Sequence, residues 1–229
     1  IRTRLEEANE DLAQQLSQSV GSLDDKISAV DGSAQSISQT IDFLQASTDT
    51  LSDKVSKNVI DAASLYDNVK DSVVKISVKN PDGDGQGSGF LYGEGGRYVV
   101  TVHHLVDGAS QINVQALGGE SVGATVVAVD RNRDIVLLSP FGNMGASALA
   151  IGDSDQVKVG DPVVLIGSPF DLTGTVTSGI VSAVGRNKSH GIYTWNSLIQ
   201  IDAPANSGNS GGPLLNGKGE VIGIASLGI

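Results

Sequence analysis

The chain has 229 residues, 39% of them hydrophobic, three histidines, no cysteine and a formal net charge of −11. That length allows one large or two modest domains with a true core, and the acidic balance argues against nucleic acid or an anionic membrane surface as partner. The missing cysteines exclude a disulfide framework, a zinc–thiolate site and a cysteine nucleophile; no apolar run is long enough to span a membrane, and nothing calls for a metal or cofactor. The chain begins at Ile1 rather than Met and reads as a fragment. A signal or anchor segment upstream would be its one route to a membrane.

Residues 1–70 contain no proline and only Gly21 and Gly32 as glycines, and their apolar pattern has helical period. Val20, Leu23, Ile27, Val30, Ala34, Ile37, Ile41, Leu44, Thr48, Leu51, Val55, Asn58, Ala62, Leu65 and Val69 step by three and four without a miss, a coiled-coil signal. Leu5, Asn9, Leu12 and Leu16 repeat likewise, but the step from Leu16 to Val20 is a second four in a row, a stutter that would locally unwind a supercoil. One continuous helix would be a stalk roughly 100 Å long. The alternative is a hairpin broken at Val30-Asp31-Gly32-Ser33, with Ser33 capping a second helix. Strand number is open between two and three, because Val30 and Ile37 at d and the alanines at a blur the dimer pattern. Polar Thr48 and Asn58 in the seam would fix register.

From residue 71 to 229 the period changes to two and β-branched residues dominate, so a mostly β domain is expected after a helical segment over 1–70. Strands are predicted at Val73–Val78, Ser88–Tyr92, Tyr98–Val102, Ile112–Leu117, Thr125–Val129, Ile135–Leu138, Val163–Ile166, Val176–Val184, Ile192–Ile201, Pro213–Leu215 and Val221–Ala225. Scarce aromatics and 29 glycines suit barrels filled by Val, Ile, Leu and Ala. His103 and His104 end an apolar strand at a polar turn, His190 lies in a polar loop, and Asp134 caps the start of the aliphatic run Ile135-Val136-Leu137-Leu138. Near the end, Asn206-Ser207-Gly208-Asn209-Ser210-Gly211-Gly212-Pro213 places three glycines around Ser210. Such a turn lets backbone N–H groups crowd a hydroxyl where any Cβ would block approach. A serine nucleophile needs a histidine base, and that base needs a carboxylate to hold its tautomer. Two adjacent histidines in an extended segment point to opposite sides, so only one can face Ser210.

The order Thr101-x-x-His104-Leu105-Val106, Asp130-x-x-x-Asp134-Ile135-Val136-Leu137-Leu138 and Gly208-Asn209-Ser210-Gly211-Gly212-Pro213-Leu214-Leu215-Asn216 resembles the trypsin-like serine proteases, and within them the HtrA family. Leu165-Ile166-Gly167-Ser168-Pro169-Phe170 and Thr175-Val176-Thr177-Ser178-Gly179-Ile180-Val181-Ser182-Ala183 are similar to that family's sequence as well. The resemblance covers residues 72–229. It implies two antiparallel β-barrels, with His104 and Asp134 in the first, Ser210 in the second and the active site in the cleft between. It makes His104, chosen over His103 by its spacing from Thr101, the general base, Asp134 its orienting carboxylate and Ser210 the nucleophile. The N–H groups of Gly208 and Ser210 would form the oxyanion hole. His103 is then a surface or supporting residue and His190 a loop histidine. The family setting also implies polypeptide substrates, an extracytoplasmic location, and a homo-oligomer built by stalk and barrels, with three copies favoured over two.

Asn209 stands where secreted digestive proteases carry an aspartate that pairs with a newly cut N-terminus, so loop ordering within an oligomer is the expected route to activity. Pro204 stands where trypsin's acidic specificity residue would lie, and a pocket without an acid favours small aliphatic residues over lysine or arginine. Ser226, Leu227 and Gly228 are similar to the family's substrate-pairing strand, with Ser226 near Asp134. In relatives a further strand and PDZ domains commonly follow the point at which this sequence stops. Two functions compete on these grounds: a serine endopeptidase acting on unfolded or damaged polypeptides, and a non-catalytic scaffold, sensor or chaperone on the same fold.

Overall fold

The computed structural model describes residues 2–58, 60–81, 83–168, 174–190 and 193–226. Pro169, Phe170, Ile192, Leu227 and Gly228, named above, lie outside them, as do the side chains of Leu5, Asn9, Asn58 and His190. The chain divides into two compact units, Ile1–Lys54 and Val55–Ile229.

The first unit is formed by α1 (Arg2–Asn58), a helix of 57 residues whose end runs on into the second unit. It passes through Asp31 and Gly32 unbroken. The hairpin alternative needed Ser33 as a cap, but Ser33 Oγ instead donates to the Ala29 carbonyl one turn back, at 2.9 Å. Ser19, Thr40, Thr48 and Thr50 do the same, so their hydroxyls are satisfied inside the helix rather than competing with it. The apolar stripe from Leu12 to Val55 is exposed along its whole length, Ile27 for example at 52%. Among the described residues no helix is long and apolar enough to cross a membrane.

In the second unit the helical phase resumes but its partner changes. Asp61 accepts hydrogen bonds from the N–H groups of Ala63 and Ser64 at 3.2 and 3.1 Å and so starts a separate helix, α2 (Ala62–Val69). Leu65 and Val69 bury themselves against the β structure, in a cluster with Val73, Phe90, Leu149, Val164, Ile166, Leu215 and Val221. The compact units meet after Lys54, whereas the sequence pattern changes near residue 70, and the seam positions Leu65 and Val69 pack in this core.

Six strands close a barrel: β1 (Val73–Lys79), β2 (Gly85–Tyr92), β3 (Tyr98–Val102), β4 (Gln111–Ala116), β5 (Ser121–Asp130) and β6 (Ile135–Pro140), in the order β1-β2-β3-β6-β5-β4. Period-two alternation sends Val74, Ile76 and Val78 of β1 inward to meet Leu91, Val99, Val114, Val136 and Leu138. A second sheet has the order β11-β10-β7-β8-β9, with β7 (Pro162–Gly167), β8 (Thr175–His190), β9 (Tyr193–Ile201), β10 (Pro213–Leu215) and β11 (Val221–Ile224). The mostly β architecture is as expected; among the described residues this second half is a five-stranded sheet rather than a closed barrel. β7 ties the halves together because both of its faces are covered. Val163 and Leu165 pack on Val181, Leu214 and Ile222, whereas Val164 and Ile166 join the cluster shared with α2 and the barrel. Each such buried side chain is worth roughly 1.5 to 3 kcal/mol, and this shared cluster fixes one half against the other at the place where the site lies.

Candidate active site

β3 delivers its last residues straight into a single helical turn, α3 (His103–Val106). The expectation that His103 and His104 lie extended on opposite sides of a strand is thus corrected: they open a helix, where successive side chains diverge by about 100°. That difference still separates them. His104 is partly exposed and turns to Asp134, while His103 is buried, 3% exposed, with its Nε2 3.7 Å from Asp107. His103 is therefore not a surface residue. Its main-chain N–H donates to the Asp134 carbonyl at 3.0 Å, so it helps hold the turn that carries the acid.

Asp134 sits between β5 and β6 at φ 58°, in the left-handed region where aspartate is tolerated better than most residues. Its carboxylate is completely buried. Oδ2 lies 2.6 Å from His104 Nδ1 and accepts from Ser226 Oγ at 2.8 Å, and Oδ1 accepts from the His104 N–H at 2.8 Å. Burial alone would raise this carboxyl, but the hydrogen bonds from the His104 side chain, the His104 N–H and the Ser226 hydroxyl outweigh it and hold it below the usual carboxylate range. A carboxyl lowered in the folded state adds stability above its unfolded pKa and loses it as pH falls through the folded one. Denaturant midpoints followed from pH 7 downward should fall more steeply through and below the ordinary carboxylate range for the wild type than for Asp134→Asn. Parallel curves would mean that Asp134 is not held ionised by these bonds.

The second half supplies Ser210. Its turn leaves β9 with Asp202 Oδ1 accepting from the Ile180 N–H at 2.7 Å, and Asn209 N–H donating to the Asn206 carbonyl at 3.0 Å. Beyond Ser210, Gly211 N–H donates to the Ala225 carbonyl and Ala225 N–H to that of Gly212, pinning the turn to the segment that ends in Ser226. Gly211 has φ 86°, and a Cβ there would collide with Thr101 Oγ1 and the Ser88 carbonyl, so the position requires glycine on both counts. The Gly208 and Ser210 N–H groups have no hydrogen-bond partner among the described residues.

His104, Leu105, Ser207, Gly208 and Ser210 line one cleft of about 540 Å³, together with Asn80, Asp84, Gly85 and Gln86. Of the residues expected at the site, His104, Asp134, Ser210, Gly208 and Ser226 are thus gathered in one place. Pro204 is exposed and is not among the cleft's lining residues. The part of the cleft wall formed by Asn80, Asp84, Gly85 and Gln86 was not legible as such in the sequence. The glycine alternation Gly85-x-Gly87-x-Gly89 was its available signal, since glycine inside a strand marks a close backbone approach. Among the described residues no cluster of His, Asp or Glu could hold a metal.

A model of the trypsin-like peptidase domain matches residues 87–224. The periplasmic serine endoprotease DegP of Salmonella typhimurium is 46% identical over 138 residues, which is 60% of this chain and 29% of that protein. A probable periplasmic serine endoprotease, DegP-like, of Chlamydia trachomatis is 43% identical over 145 residues, 61% of this chain and 27% of that protein. The chain therefore spans less than a third of the length of these relatives. Among solved structures, the HtrA-type protease AlgW with a tripeptide superposes with TM-score 0.65 at 33% identity, over 71% of this chain and 53% of that one. Deg5 superposes with TM-score 0.63 at 28% identity, over 72% and 83%.

Proposed function

This chain belongs to the trypsin-like peptidase family and is of HtrA type, and on that premise we propose that it is a serine endopeptidase that cleaves unfolded or damaged polypeptides outside the cytoplasm. The observation that carries the reading is the buried Asp134 carboxylate 2.6 Å from His104 Nδ1, in a histidine that shares its cleft with Ser210. Nδ1–H held by the carboxylate leaves Nε2 as the basic nitrogen. In the proposed reaction Ser210 Oγ attacks the substrate carbonyl carbon as Nε2 takes its proton. The oxyanion is held by the Gly208 and Ser210 N–H groups, and His104 returns the proton to the leaving amine. Water, activated by the same nitrogen, then releases the acyl group and restores Ser210. Each oxyanion donor is worth on the order of 10² to 10³ in rate. Active-site labelling with a fluorophosphonate tests the assignment, since a scaffold without a working nucleophile would not react.

Small aliphatic residues are the proposed preference at the cleaved position, because Pro204 supplies no acid where the trypsin pattern has one. Lysine and arginine substrates should be cleaved at least about tenfold less efficiently than valine or alanine ones. Faster cleavage after lysine or arginine in a peptide library would refute the preference.

The proposed assembly is a trimer, two copies being the alternative, held in part by α1. Its exposed apolar stripe is too long to remain in water, and other copies of the same helix are the natural cover. Asn209 is 2% exposed and bears no charge, so it cannot hold a cut N-terminal ammonium as an aspartate would. Loop ordering by neighbouring copies is the proposed substitute. Deleting residues 1–58 should lower both the mass of the assembly by light scattering and the specific activity. The cut spares α2, whose Leu65 and Val69 are core residues. A truncated protein that remains a fully active trimer would show that the β unit assembles unaided.

A further inference from the structure

β2 passes directly beneath the turn that carries Ser210, and in Gly85-Gln86-Gly87-Ser88-Gly89 it offers one hydroxyl between glycines. A Cβ at Gly87 would stand 2.5 Å from Leu105 Cδ2 and 2.9 Å from the Ser210 carbonyl oxygen, so glycine is what lets the two backbones meet. Ser88 itself is fully buried and all its polar groups are used. Its N–H donates to the Ser210 carbonyl at 2.8 Å and its Oγ to the Gly208 carbonyl at 2.6 Å. The same Oγ accepts from the Ser168 N–H at 2.8 Å, and the Ser88 carbonyl accepts from Thr101 Oγ1 at 2.6 Å.

These bonds seize the carbonyls of Gly208 and Ser210, whose own N–H groups have no partner among the described residues. Gly208 has φ 102° and, lacking a Cβ, can adopt either sign of φ at little cost, so its own backbone does not decide which way its peptide groups face. A hydrogen bond from a rigid strand of the barrel does decide it. We propose that Ser88 is a positioning residue for the oxyanion site: its hydroxyl and N–H fix the peptide planes that follow Gly208 and Ser210, which adjoin the planes carrying the Gly208 and Ser210 N–H groups, and thereby limit the backbone rotation that would turn those N–H groups away from the cleft. Through Ser168 it also ties that turn to the end of β7, with Gln86 Nε2 bonding the Ser168 carbonyl at 3.0 Å as a second tie. The proposal rests on Ser210 being the nucleophile.

Ser88→Ala removes the hydroxyl part of the clamp, keeps the main-chain bond to the Ser210 carbonyl, and leaves the Gly208 carbonyl and the Ser168 N–H without their Oγ partner. Misplacing a reacting group by about 1 Å costs on the order of 10² in rate, so kcat per active site titrated with a fluorophosphonate should fall about that much, with KM and the pH profile little changed. Affinity for a peptide boronate, which forms a tetrahedral adduct, should fall by the same factor as kcat/KM. Ser88→Cys, close in size but a weaker donor, should lie between the two. A merely structural role would instead lower the melting temperature and the number of titratable sites while leaving kcat per site unchanged. Wild-type kcat per site in folded Ser88→Ala overturns the proposal; if that variant does not fold, wild-type kcat per site in Ser88→Cys overturns it equally. A wild type that fails to titrate strikes the Ser210 assignment and the proposal with it, whereas a titrating wild type beside a fully active Ser88→Ala strikes Ser88 alone.

Discussion

Ser210→Ala should abolish peptide-bond cleavage while leaving the fold intact. The substitution removes one hydroxyl oxygen at the wall of the cleft and spares the Ser210 carbonyl, which goes on accepting from the Ser88 N–H. The turn therefore keeps its shape. Loss of a nucleophile in such a constellation costs on the order of 10⁴ to 10⁶ in rate. Casein digestion and thermal unfolding of the purified variant measure both halves of this expectation. Digestion near the wild-type rate would refute the assignment, and a variant that unfolds would show that the hydroxyl serves structure.

His104→Ala should be as damaging as the serine change, because neither residue can act without the other. His103→Ala is the informative companion. The His103 side chain is buried and faces Asp107 rather than the acid at the site, while the bond that holds Asp134 comes from its main chain and survives the substitution. His103→Ala should lower the melting temperature, as core truncations of this size cost roughly 1 to 3 kcal/mol, with activity per folded molecule within about tenfold of wild type. Equal inactivation by both variants, with both folded, would mean that His103 supports the chemistry directly.

The β fold was legible in the chain because its strands are half-buried and alternate, as Val74, Ile76 and Val78 do in β1. Where that alternation fades, so did the reading. β8 continues to His190 through Gly185-Arg186-Asn187-Lys188, a polar run held by pairing with β9 across several register shifts rather than by an apolar face. The unbroken heptad phase across Asn58 and Ala62 hid a change of partner, since Leu65 and Val69 need an apolar surface as much as Val55 does, but find it on the β unit. Asp61, the N-cap that starts a new helix, was the overlooked signal. α3 is four residues long, too short for any periodicity, so the two histidines read as the end of a strand. His104, Asp134 and Ser210 stood out because hydroxyl chemistry demands those residue types in company. Ser88 did not, because its partner Gly208 lies 120 positions away and only the folded chain brings them together.

Mass spectrometry after exposure to a fluorophosphonate reads out whether Ser210 is a nucleophile activated by His104. The expected result is one adduct per chain, mapped to the peptide containing Ser210, absent from Ser210→Ala and strongly slowed in His104→Ala. A folded wild-type protein that takes no adduct, or one that is modified equally in Ser210→Ala, would show that Ser210 is not the nucleophile.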